Sequence, residues 1–160
     1  ASAKGAGNYS LVIIDGAIEQ LPDWVTSRLA DQGRLDEAMD AYRAAIQLQP
    51  DLAEAHSNQG AALNLLGRYE EATACFERAL RAQPDYAEAH GNLGIALQQQ
   101  GRLDAAVESY RKALSIKPDF AEALLNLGHA LKSKGDIDEA RMCWRQAIDA
   151  KPELARGYFE

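Results

Sequence analysis

The chain has 160 residues, a formal charge of −7 and a pI near 5.0. That length suits one globular domain or roughly four to five short repeats. The acidic balance argues against nucleic acid as a partner, because neutralising phosphates takes clustered Lys and Arg. No apolar stretch approaches the ~18 residues of a membrane span.

Residues 1–8 are small and polar and are expected to be disordered or vector-derived. In residues 10–21, Leu11, Ile14, Ile18 and Leu21 fall at i, i+3, i+7 and i+10. That spacing suits a helix capping the unit that follows, although the run Leu-Val-Ile-Ile also allows a strand. The run is too short for a signal-peptide core. Residues 1–20 therefore read as an extension with a capping helix. The first unit, 21–52, has an irregular first half, where Pro22 and Thr26 interrupt the pattern and Trp24 offers bulk. Its second half predicts a helix over 36–48.

The units 53–86, 87–120 and 121–154 each read as a helix pair. In the middle one, residues 87–99 carry a stripe of Leu93, Ala96 and Leu97, and Gly101 ends that helix. Asp104 opens a second helix whose Ala106, Tyr110, Ala113 and Leu114 share a face, and Pro118 stops it. Gly94 and Ala106 are expected to face each other where the helices approach. Leu97, Tyr110 and Leu114, with Leu63, Phe76 and Leu80 one unit earlier, are expected to fill the space between neighbours. Residues 155–160 begin a fifth first helix that stops short, leaving Tyr158 and Phe159 as a sticky end. With Ala1 rather than Met at the start, the chain reads as a piece of a longer protein.

One period organises all of this. Pro50, Pro84, Pro118 and Pro152 stand 34 residues apart, as do Gly33, Gly67, Gly101 and Gly135. A ring follows the same rule at Tyr42, Phe76, Tyr110 and Trp144. Such self-similarity marks a solenoid, in which stacking of helix pairs supplies the stability that no single pair has. The fold class is all-α, a solenoid of tandem helix–turn–helix repeats. The framework of Leu124, Leu127, Gly128, Leu131, Ala140, Trp144, Ala147 and Pro152 resembles the tetratricopeptide repeat. So does that of His56, Gln59, Gly60, Leu63, Ala72, Phe76, Ala79 and Pro84, although His56 and His90 replace a large aromatic and Gln59 replaces a Leu. The resemblance implies a right-handed superhelix that binds a peptide on its concave face.

Asn58, Asn92 and Asn126 also repeat at 34, in a place where Asn is a poor helix residue. They read either as interhelical hydrogen bonds that fix the stacking or as amides for the backbone of an extended peptide. The central units are similar to the arrays of O-linked N-acetylglucosamine transferases, and that resemblance implies the second role. Asp51-x-x-Glu54, Asp85-x-x-Glu88 and Asp119-x-x-Glu122 read as capping boxes or, through Glu54, Glu88 and Glu122, as a line of carboxylates favouring a basic segment. Asn64, Gln98, Lys132 and His129 complete the candidate face, on variable positions beside a strict framework. The inner face lacks the cations with which chaperone-binding members of the family hold a C-terminal carboxylate: Ser57, Ala61 and Glu88 stand there.

Cys75 and Cys143 occupy one repeat position and are too far apart to bridge, so they read as reduced thiols in a reducing compartment such as the cytoplasm. His56 and His90 read as packed replacements for aromatics rather than metal ligands. No nucleophile–base pair, phosphate loop or carboxylate dyad stands out, so the chain reads as non-catalytic, with no cofactor and no metal. The expectation is a protein-interaction module that binds an extended, neutral-to-basic peptide or protein segment, with no membrane contact. The alternatives are the substrate-recruiting segment of a larger glycosyltransferase, or a scaffold that self-associates through its ends.

Overall fold

The computed structural model describes residues 35–153, and every element in it is a helix. The expected extension, the irregular first helix of the first unit and the truncated fifth helix lie outside those residues. The contacts divide the chain into two compact units that meet between Pro84 and Asp85.

The first unit contains α1 (Leu35–Leu48), α2 (Ala53–Leu65) and α3 (Tyr69–Ala82). α1 packs on α2 through Ala45, Leu52 and Ala55, backed by Ala41 and Ile46. α2 and α3 form a helix pair in which Phe76 and Ala79 have no exposed surface. The turn between them uses Gly67 at φ 72°, in the left-handed region where a side chain would be strained.

The second unit contains α4 (Ala87–Gln99), α5 (Leu103–Ile116), α6 (Ala121–Lys134) and α7 (Ile137–Ala150). α4 pairs with α5 and α6 with α7, while α5 packs on α6 and α4 touches α6. One apolar core joins the two pairs: Leu97, Val107, Tyr110, Leu127 and Leu131, flanked by Leu93, Leu114 and Trp144. Leu97, Tyr110 and Leu114 thus fill the space between pairs, as the pattern predicts. α4 has the predicted span, and α5 begins one residue before Asp104.

The close approach at Gly94 is to the Tyr110 ring. A methyl at Gly94 would sit 2.5 Å from Cε1 of Tyr110, and Gly60 meets Phe76 and Gly128 meets Trp144 in the same way. The glycine removes a side chain so that a ring 16 residues later can approach the helix closely. One local expectation fails: the capping boxes do not form. The N-caps of α2, α4 and α6 are Leu52, Tyr86 and Phe120, and none makes a side-chain cap bond. Burial explains it for two of them: Leu52 is in the core, and the Phe120 ring lies against Gly91. That register leaves Asp51, Asp85 and Asp119 one residue too early to cap.

Candidate functional site

The candidate residues stand mainly on the first helix of each pair: α2 in the first unit and, separately, α4 and α6 in the second. Asn58, Asn92 and Asn126 are half-buried at equivalent places on these helices. Among the described residues, the Asn58 and Asn126 amides make no hydrogen bond, so they do not serve as the interhelical ties that one reading expected. Asn92 has an interaction of its own.

The neighbouring candidates divide by environment. Gln98 accepts a 2.9 Å hydrogen bond at Oε1 from the buried Tyr110 hydroxyl. Its amide therefore anchors the core ring of its own pair, and burial pushes the Tyr110 phenol pKa well up. His129 stacks at a tilt on Trp144, with ring centroids 5.7 Å apart. Lys132 is exposed and Asn64 is half-buried. Ser57 and Gly91, two variable positions beside the amides, are buried, and Gly91 is filled from below by Phe120.

The carboxylates are not a free line of charge. Lys117 Nζ lies 3.7 Å from Glu88 Oε1 and also sits 4.9 Å from the centre of the Phe120 ring. Lys151 Nζ donates to Glu122 Oε1 at 3.1 Å. Partial burial alone would raise the Glu122 carboxyl pKa, but its own backbone N–H and Lys151 outweigh that and hold it below the usual range. In the first unit the residue matching these lysines is Gln83, and Glu54 makes no ion pair among the described residues. Both pairs join residues 29 apart, beyond the reach of any local sequence rule.

The remaining polar residues are structural. His56 is buried, and its Nε2 donates to the Pro50 carbonyl at 2.7 Å, which fixes the tautomer because that carbonyl only accepts. Gln59, the departure from Leu, accepts from the Cys75 thiol at 3.4 Å. Burial pushes the thiol pKa of both Cys75 and Cys143 up, which makes them poor nucleophiles. Among the described residues, no group of three or more His, Cys, Asp or Glu is placed to hold a metal ion. No described helix is long and apolar enough to cross a membrane.

Comparison with known proteins agrees with the helix pairs. Three tetratricopeptide-repeat family profiles match residues 27–66, 51–119 and 97–156. Two crystal structures of MamA superpose with TM-scores of 0.74 and 0.71, at 27% and 26% sequence identity. The first match covers 94% of this chain and 89% of MamA, and the second 97% and 85%. A MamA RS-1 ArsTM double mutant, 20% identical with a TM-score of 0.73 over 94% of this chain and 88% of that one, shares the fold. Among curated proteins, none matches the chain. Three profiles that together run from residue 27 to 156, on an all-α solenoid of helix pairs, place this chain in the tetratricopeptide-repeat family as a protein-interaction scaffold module.

Proposed function

We propose that the chain is a non-catalytic receptor for an extended peptide segment, held by the side-chain amides of Asn58 on the first unit and of Asn92 and Asn126 on the second. One observation carries the reading. Asn58 and Asn126 are half-buried on helices where Asn costs stability, and among the described residues neither amide is used in a hydrogen bond. A side-chain amide presents a donor and an acceptor together, which suits a peptide backbone. Affinity of that kind tolerates sequence variation. Glu54 supplies the basic preference, because Lys117 and Lys151 offset Glu88 and Glu122. The preference is accordingly for a neutral to mildly basic segment, weakening with salt.

The test is the triple variant N58A/N92A/N126A against a panel of capped 12-residue neutral and basic peptides. Loss of binding with helical content unchanged supports the groove, since Ala is the better helix former. Equal binding together with easier unfolding makes the amides structural and removes the proposal.

A further inference from the structure

The second unit carries a groove that shares no residue with the amide face. It has a volume of about 510 Å³ and opens to solvent where the C-terminal ends of α5 and α7 meet the start of α6. Leu114, Leu124 and Pro118 form its apolar floor, and Asp119, Asp149 and Gln146 stand around it. Its volume lies within the usual range for ligand pockets. Leu124 occupies the position that His56 and His90 hold in the earlier repeats. Its side chain is buried, so it closes the groove without contributing a polar atom.

The lining of this groove carries two acids and no base. Neither α5 nor α7 has a basic residue in its last turn, and the lysine at each C-cap, Lys117 or Lys151, is not among the residues that line the groove. Asp149 adds a carboxylate in that last turn of α7, where the dipole opposes it. The two nearest lysines in sequence, Lys117 and Lys151, are turned to Glu88 and Glu122. Asp119 and Asp149 are exposed and make no ion pair among the described residues. An apolar floor beside two carboxylates that make no ion pair among the described residues, in a lining with no Lys or Arg, matches a cationic side chain with an alkyl stem beside an apolar one.

We propose that this groove docks a partner protein segment in which an Arg or Lys stands next to an aliphatic residue. The aliphatic side chain and the alkyl stem cover Leu114, Leu124 and Pro118. The cation lies between Asp119 and Asp149, and Gln146 meets the segment's backbone. The site is independent of the Asn58–Asn92–Asn126 face.

The probe is the capped hexapeptide Ac-GRLRLG-NH2, titrated into the full isotope-labelled chain and followed by amide chemical shifts, with Ac-GQLQLG-NH2 as the neutral control. Shifts clustered at Leu114, Asp119, Gln146 and Asp149 are expected, with an affinity about five-fold above the control, since exposed charge pairs each contribute little. The D119N/D149N variant keeps shape and folding while removing both charges, and should erase the preference. L124W fills the groove and should abolish binding. If L124W misfolds, the Asp-to-Asn variant still decides. The N58A/N92A/N126A variant should bind this probe unchanged, which separates failure here from failure of the amide face. Absence of groove shifts at millimolar peptide, equal affinity for the two peptides, or an unaltered preference in D119N/D149N overturns the proposal.

Discussion

Gly94→Ala would test how the helix pairs are assembled. A methyl there would lie 2.5, 2.7 and 2.8 Å from three carbons of the Tyr110 ring, where ordinary carbon contacts are about 3.5–4.0 Å. The shortfall is therefore roughly 1 Å against three atoms at once. The ring has no room to retreat: it has no exposed surface, and its hydroxyl is tied to Gln98. α4 and α5 must move apart instead, and overpacking of this kind costs about 1–3 kcal/mol. Replacing a helical Gly by Ala returns about 1 kcal/mol. A net loss near the upper part of that difference, roughly 1–2 kcal/mol, should appear in urea unfolding followed by circular dichroism. Gly101→Ala is the control, because Gly101 has open space around it and φ 75°. Its cost, about 1–2 kcal/mol, comes from the backbone alone. A Tyr110→Leu background separates the two, since removing the ring should make Gly94→Ala neutral or stabilising while leaving the Gly101 cost unchanged. If Gly94→Ala stabilises the wild-type chain, or costs the same in both backgrounds, the close approach of ring to helix is not what holds the pair.

Tyr110→Ala should cost about 3–5 kcal/mol by emptying the core between pairs, whereas Tyr110→Phe should cost only about 1 kcal/mol for the Gln98 hydrogen bond; equal losses in denaturant melts would contradict the burial described. Cys75 and Cys143, with thiol pKa values raised by burial, should react with a thiol reagent at pH 8 much more slowly in the native chain than after unfolding, and rapid native labelling would refute this. The Glu122 carboxyl titrates below its ordinary range when folded, so its contribution is present above the unfolded pKa and is lost as pH falls through the folded one. Wild type should therefore lose stability relative to Glu122→Gln between about pH 5 and pH 3, and parallel acid-unfolding curves would show that the Lys151 pair is idle.

Helix spans and the period were legible because both are local. A helix closes hydrogen bonds over four residues, so the Gly101 stop, the Pro118 break and the stripe through Leu93 and Leu97 are written along the chain. The candidate face was legible only as positions. Asn58 and Asn126 stand out in the sequence, but only the folded chain shows that they are half-buried and not hydrogen-bonded among the described residues. It also shows that Gln98 is held by a core tyrosine. The capping boxes at Asp51, Asp85 and Asp119 matched a local rule, yet the N-caps fall one residue later, on Leu52, Tyr86 and Phe120.

By itself the sequence determined a solenoid of 34-residue helix pairs and the residues that build its core. Tertiary structure decided which residues meet. Gly94 meets the Tyr110 ring, Glu88 meets Lys117 and Glu122 meets Lys151, and the ends of α5 and α7 converge over Leu124. Those meetings depend on how far two helices approach and how each is rotated about its axis. Side-chain volume sets both, through close packing across the pair, and no order of residues along one helix encodes them alone.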